Sequence, residues 1–443
     1  MLSGAGGCAW RRLGLPQCRW FSRAILVSVQ LPGVTDAEHA TSLVEMRRLA
    51  ETLGHDVEEV LTQRRTSLGA TVIGKGKLEE LARARERSLP SEPVVILVDT
   101  DRLTRTQETS LTAAAGGAQV MDRSRVILNI FKQHARTRAA RVQVEMAELM
   151  YNGPAAVRSG VTASESGGGG KGAGEKQSEL TSRQVRDRMA LLRRELEAIE
   201  KEEVTRRERR DDVAKVAIVG YTNAGKSSLM RALTGSDVLV EDKLFATLTT
   251  TSRVLRSPAD WNRLSVPRVL VSDTVGFIRK LPTELVASFA ATLAEAADAD
   301  VLLHVCDASD ADWRAQMKVT DEVLEKTGAG KVPRVLVFNK VDLVTDSAVL
   351  AQLRQEFPEA LFVSALEEAD VRGLAERVTG LFEACMTPMD LALNYDDPKR
   401  GLLLGKVRAT CKVLEEFSDE ETGKTHLKLL VPRHLAADLK GKD

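Results

Sequence analysis

Cysteine is scarce in this 443-residue chain: Cys8, Cys18, Cys306, Cys385 and Cys411 show neither the pairing of a disulfide framework nor the spacing of a metal site. That usage fits a reducing compartment and excludes a small disulfide-stapled scaffold. No apolar run of 18 or more residues occurs, so the sequence holds no membrane-spanning helix. Net charge is missing too, because 63 Lys and Arg are matched by 63 Asp and Glu. Overall composition therefore implies neither an acidic nor a basic partner, and any such inference must rest on local charge. What is present, 43% hydrophobic and 28% charged residues, is enough for several packed domains.

The most informative segment is Gly220-Tyr221-Thr222-Asn223-Ala224-Gly225-Lys226-Ser227. It follows a strand-like stretch at 216–219 and precedes a helix-like one at 228–233, the order that a GxxxxGK[ST] phosphate-binding loop requires. Its glycines let backbone N–H groups close around phosphate oxygens. Lys226 reaches the β- and γ-phosphates, and the Ser227 hydroxyl ligates Mg²⁺ at a helix N-terminus. A second strand, 268–272, runs into Asp273-Thr274-Val275-Gly276, which offers a carboxylate to the Mg²⁺ shell and a glycine N–H to the γ-phosphate. A third, 335–338, leads to Asn339-Lys340-Val341-Asp342. There the Asp342 carboxylate accepts hydrogen bonds from N1–H and the 2-amino group of guanine, a donor pair that adenine lacks, so the nucleotide is GTP or GDP. Finally 361–363 leads to Ser364-Ala365-Leu366, a backbone lid over the base. Elements in this order at strand ends predict an open α/β sheet with its ligand at the C-terminal edge.

Between the loop and Asp273, the run Phe245-Ala246-Thr247-Leu248-Thr249-Thr250-Thr251-Ser252 should hold the first switch. Thr247 is favoured as its Mg²⁺ ligand, with Thr250 or Thr251 as alternatives. The expected catalytic set is Lys226, Thr247 and the Gly276 N–H. Phe277, directly after Gly276, cannot orient a water, so intrinsic hydrolysis should be slow until something else completes the site.

The loop sequence, Leu244-Phe245-Ala246-Thr247-Leu248 and Asp273-Thr274-Val275-Gly276-Phe277-Ile278-Arg279 resemble the HflX family of ribosome-associated GTPases. So do Ile73-Gly74-Lys75-Gly76-Lys77, Val120-Met121-Asp122-Arg123 and Val142-Gln143-Val144-Glu145-Met146-Ala147, which generic GTPases lack. The similarity spans roughly residues 40–385. It implies docking on the large ribosomal subunit and its rRNA, with a role in subunit splitting, late assembly or both. In similar GTPases an asparagine at the position of Asn223 coordinates K⁺; a loop-stabilising hydrogen bond is the alternative there. The family's Arg-Gly-Pro-Gly-Glu appears here as Lys171-Gly172-Ala173-Gly174-Glu175, and Thr249-Thr250 replaces an Asp-Pro. A lysine keeps the positive charge without the bidentate fork.

The expected architecture is multidomain α/β. A small parallel α/β domain occupies 38–140, where helical and strand-like stretches alternate. A helical hairpin follows at 141–212, because Val142, Met146 and Leu149 recur at helical spacing, as do Val185, Met189, Leu192, Leu196 and Ile199. Its connection, 152–176, holds eight glycines and exceeds what joining two antiparallel helices needs, which suggests function; in the family this loop reaches ribosomal RNA. The Ras-like GTPase domain takes 213–386, and an α+β or hairpin appendage 390–443, with 402–409 read as a strand. Gly74-Lys75-Gly76-Lys77 lacks the spacing of a second phosphate loop. From Arg123 to Arg141 there are six Arg or Lys and no acid, a strip that the resemblance turns towards RNA contact.

Before Asp36 there is no acidic residue, while Arg11, Arg12, Arg19 and Arg23 alternate with Leu, Trp and Phe. Residues 1–35 thus read as an organellar transit peptide, with the mitochondrial matrix favoured and a plastid address or a cytosolic tail as alternatives. A monomer is expected. Two other functions compete: a GTP-dependent RNA-modification partner, which the lack of a modification-site cysteine or folate domain disfavours, and a signalling switch with a protein effector.

Overall fold

The computed structural model describes residues 22–87, 93–153, 173–208, 213–235, 244–245, 251–256, 269–282, 285, 295–398, 400–419, 422–432 and 435–436. It comprises two compact units that meet in sequence between Ile130 and Phe131.

In the first unit β1 (Ser22–Gln30), β2 (His55–Arg64), β3 (Val94–Val98) and β4 (Gln119–Asp122) form a parallel sheet in the order β2-β1-β3-β4. β3 is apolar at every position and buried along its whole length, as a strand covered on both faces must be. The helix between β1 and β2, α1 (Asp36–Leu53), starts at Thr35. That side chain accepts the Glu38 N–H while the Glu38 carboxylate accepts the Thr35 N–H at 2.8 Å, a reciprocal cap that fixes the helix start. It stops at Gly54, whose φ of +86° suits glycine. The predicted parallel α/β domain is therefore present.

Its start, however, is not where composition placed it. β1 lies inside the segment read as a leader, and it is the strand that pairs with both β2 and β3. Ala24, Leu26 and Val27 are fully buried. An apolar run with one arginine looks the same in a leader and in a core strand; here Arg23 pairs with Glu58. The leader reading shrinks to residues 1–21, which lie outside the described residues.

The basic strip is corrected as well. Arg123, at the start of α4 (Arg123–His134), is fully buried and ion-paired with Glu45 and Asp99. Arg125 pairs with Glu108, Lys132 with Glu148 and Arg138 with Glu195. Carboxylates distant in sequence pair with these four, and Arg123 is withdrawn from the surface altogether, so the strip is not the uninterrupted run of available cations that the sequence suggested. The Gly74 N–H donates to the Gln63 side chain at 2.8 Å and opens α2 (Lys75–Glu86), so that glycine serves helix entry.

In the second unit α5 (Arg138–Asn152) and α6 (Ala173–Glu208) pack through Val142, Met146, Met189 and Leu192, flanked by Leu149, Val185 and Leu196. That is the expected hairpin. Residues 173–176 of the expected connection belong to α6, and 154–172 lie outside the described residues.

Six strands follow: β5 (Ala214–Gly220), β6 (Thr251–Val254), β7 (Val269–Asp273), β8 (Val301–Asp307), β9 (Arg334–Asn339) and β10 (Leu361–Phe362). Their order is β10-β9-β8-β5-β7-β6, and all pairs are parallel except β6 with β7. One face buries Val216, Ile218, Leu303 and Val337 against α7 (Lys226–Thr234) and a helix at Glu368–Glu383. Burial holds the His304 imidazole down to about 4 and pushes the Cys306 thiol up to about 12, so both stay neutral in the core.

The C-terminal appendage is α+β. Strands Met386–Asn394, Lys412–Asp419 and Lys424–Pro432 form an antiparallel sheet, and residues 400–410 are a helix where a strand was expected. The consecutive leucines suggested a strand, yet Leu403 and Val407 recur at helical spacing and are the buried ones, while Leu402 is 77% exposed.

Candidate active site

Because β5, β7, β9 and β10 run parallel, their C-terminal ends lie on one edge, and the four loops named from sequence follow those ends. The phosphate loop leaves β5 at Gly220, φ +150°, where a Cβ would collide with the Val305 carbonyl of β8. Asn223 adopts φ +60°. Gly225, φ +88°, caps α7, and a Cβ there would strike the Asn339 amide. These positions let the backbone curl tightly ahead of a helix N-terminus, as anion capture requires.

The other loops are fastened to it. Asn339 donates from Nδ2 to the Ala224 carbonyl at 2.9 Å and accepts the Ala365 N–H at 3.1 Å, so one side chain ties the base-binding loop to the phosphate loop and the lid. Lys340, φ +62°, pairs with Asp307 at 2.7 Å; Val341 and Asp342 continue into a 3-10 turn that leaves Asp342 exposed. In the lid, Ser364 is buried, its N–H donates to Asp370 at 2.8 Å, and Leu366 is 78% exposed.

On the phosphate side Ser227 Oγ donates to Asp273 at 2.8 Å. A hydroxyl and a carboxylate at a helix N-terminus are the oxygen donors that suit Mg²⁺, so these two residues fit the ion that such a domain implies. Once bound it offsets negative charge on the β- and γ-phosphates. Among the described residues no group of three or more His, Cys, Asp or Glu could hold a metal by itself. Gly276 sits so close to Lys226 Nζ and Thr222 Cγ2 that a Cβ would stand 2.9 Å from each, which explains the glycine.

Not every motif residue faces the ligand. Thr274 is fully buried and its hydroxyl donates to the Ile218 carbonyl at 2.7 Å, so it joins β5 to β7 instead; Val275 is also buried. Phe245 is 3% exposed, with its ring 4.7 Å from Phe131, and acts as a packing anchor. Ala246, Thr247, Leu248 and Thr249 lie outside the described residues. Phe277 points into the core with Ala217, Val219 and Leu302, and no polar group comes from that position. Sequence reasoning missed a latch: the Tyr221 hydroxyl accepts the Arg279 N–H at 2.8 Å, and Arg279 pairs with Asp312. No short-range signal links those residues.

Lys226 is buried and donates to the Tyr221 carbonyl at 2.6 Å. Burial lowers its pKa to about 8, with Asp273 opposing that shift. A bound phosphate tail restores the charge, so binding takes up a proton wherever the free lysine is neutral. Affinity is expected to be flat below about pH 7 and to weaken by up to about tenfold per unit as the pH rises beyond about 8. Calorimetry in buffers of different ionisation heat checks this; proton-independent binding at pH 9 would contradict it.

Three family models tile the chain: "GTP-binding GTPase N-terminal" over residues 40–132, "GTP-binding GTPase Middle Region" over 134–210 and "50S ribosome-binding GTPase" over 215–340. The chain is 45% identical to the GTPase HflX of Gluconacetobacter diazotrophicus, over 90% of its own length and 93% of that protein. With the GTPase HflX of Escherichia coli the identity is 34%, covering 93% of each. A crystal structure of a GTP-binding protein from Sulfolobus solfataricus in complex with GDP aligns over 81% of this chain and 99% of that one, with a TM-score of 0.43 and 22% identity.

Proposed function

Since this chain belongs to the HflX family of GTPases, and so binds and hydrolyses GTP, we propose that it does so docked on the large ribosomal subunit. GTP stabilises the docked shape, hydrolysis releases it, and the outcome is subunit splitting, late subunit assembly or both. The observation that carries the reading is the convergence of four nucleotide loops on one sheet edge in a chain that also matches both family-specific N-terminal regions. The glycine-rich stretch of sequence between α5 and α6 is the proposed contact with rRNA.

In this mechanism the loop N–H groups and Lys226 hold the phosphates, the Gly276 N–H meets the γ-phosphate, and Asp342 reads the base. The buried Phe277 offers nothing to the attacking water, so hydrolysis on its own is slow. Asn223, turned to φ +60° within the loop, is the proposed K⁺ contact. The mitochondrial matrix is the proposed location, on the arginine-rich, acid-free composition of residues 1–21.

GTP turnover by the full chain, in K⁺ and in Na⁺, with and without purified organellar large subunits, tests the proposal. Stimulation of at least about tenfold by the particle is expected, with faster turnover in K⁺. No stimulation, together with no co-sedimentation in a non-hydrolysable GTP analogue, would sink it in favour of a protein effector.

A further inference from the structure

The latch between Tyr221 and Arg279 is one end of a longer seam. The Phe277 N–H donates to the Gly220 carbonyl at 3.1 Å, the Thr222 N–H donates to the Phe277 carbonyl at 2.7 Å, and the Arg279 N–H donates to the Tyr221 hydroxyl at 2.8 Å. Gly220, Tyr221 and Thr222 thus hold Phe277 and Arg279 on one side of Gly276. On its other side the Thr274 hydroxyl donates to the Ile218 carbonyl at 2.7 Å. Gly276 is therefore hung between anchors that all belong to β5 or to the loop leaving it.

The bond to Tyr221 differs from the others. Tyr221 and Phe277 form an isolated bridge outside the named strands, and two backbone bonds with no ladder beyond them open readily at their free end. The side-chain bond closes that end. Tyr221 is 6% exposed, so its hydroxyl must find a partner inside the fold, and Arg279 supplies one. The Arg279 guanidinium in turn pairs with Asp312, at the start of the helix Trp313–Lys326. Immediately afterwards the chain changes character. Residues 273–278 are all buried, whereas Lys280 is exposed and turned to φ +56°, a left-handed backbone that residues other than glycine rarely take. The fixed segment ends at Arg279, and the turn at Lys280 is where the chain beyond it pivots.

We propose that Tyr221 is a positioning residue for GTP hydrolysis. By holding the Arg279 N–H, its hydroxyl fixes the backbone on which the Gly276 N–H is presented to the γ-phosphate, and so it rests on the role given to Gly276 above. The hydroxyl acts through Gly276 and not on the reacting atoms. A donor aimed in advance at developing charge is worth more than one that must reorganise to reach it, and a small misplacement of such a group is costly. The α- and β-phosphates are held by the loop and Lys226, so loosening the seam affects the γ-phosphate contact alone.

The test compares full-length wild type with Y221F and G276A. It measures affinity for GDP and for a non-hydrolysable GTP analogue, single-turnover GTP hydrolysis, and amide hydrogen exchange in peptides spanning residues 277–280. Y221F keeps the ring and both backbone bonds and loses only the hydroxyl. It is expected to bind GDP within about twofold of wild type, to weaken the analogue relative to GDP by at least about threefold, and to hydrolyse GTP about tenfold more slowly. Exchange in the 277–280 peptides should rise by at least about tenfold. G276A, whose Cβ would stand 2.9 Å from Lys226 Nζ, should lower the same affinity ratio at least as far. If G276A shifts the ratio and Y221F keeps both the wild-type ratio and the wild-type rate, the proposal fails and the role of Gly276 stands. An unchanged ratio in both variants would overturn the role of Gly276 and the proposal with it. Equal weakening of GDP and the analogue in Y221F would also overturn it, and would make Tyr221 a packing residue of the phosphate loop.

Discussion

Asp342→Asn is expected to cost at least about 10³-fold in GTP affinity and to transfer preference to xanthosine triphosphate. In the proposed site the carboxylate accepts from both N1–H and the 2-amino group of guanine. An asparagine presents one acceptor and one donor, so the donor faces the 2-amino group and one base hydrogen is left without a partner inside the closed site. Xanthine carries a carbonyl oxygen where guanine has that amino group and accepts the new donor. Asp342 is exposed, and the loop is held by Asn339 through Ala224 and Ala365, so the substitution leaves the scaffold standing. Competition between the two triphosphates for a fluorescent nucleotide reads the result. A variant that keeps GTP affinity within about tenfold of wild type would refute the base-reading role.

Deleting residues 1–35 is expected to destroy the N-terminal sheet, whereas deleting 1–21 leaves it folded. The longer deletion removes β1, which lies between β2 and β3 and shares a ladder with each. It also strips Ile25, Leu26 and Val27 from the core, where each is at most 4% exposed. At about 1.5–3 kcal/mol for each buried aliphatic side chain, these three and the lost ladders approach or exceed the roughly 5–15 kcal/mol that holds a domain together. Circular dichroism and limited proteolysis of the two products distinguish the outcomes. Equal protease resistance of both would show that β1 is dispensable and the domain starts later.

The loops of the candidate site were largely legible in the sequence because the chemistry proposed for them is written in contiguous residues. Gly220, Gly225 and Gly276 are each required by a backbone approach that a side chain would block, and their spacing shows along the chain. Lys226 with Ser227, Asp273 and Asp342 each belong to a short motif at the end of an apolar strand. Thr274 and Phe245 belong to the same motifs, yet one donates to Ile218 and the other packs on Phe131. A motif specifies which residues accompany a nucleotide, not which of them turn inward.

The sequence by itself determined that this chain binds guanine nucleotide, that a parallel domain and a helical hairpin precede the GTPase domain, and which family they resemble. Those conclusions rest on local order: short motifs, strand-length apolar runs and the 3.6-residue spacing that brings Met146 and Met189 into one core. Tertiary structure alone decided that residues 22–30 are a core strand, because an apolar run acquires that meaning from the strands it pairs with. It decided that Arg123 is a buried ion pair, since Glu45 and Asp99 are distant in sequence. It also set the Thr222 methyl against Gly276, leaving no room there for a side chain. In each case the deciding quantity is a distance between residues far apart in the chain, which no spacing along the sequence encodes.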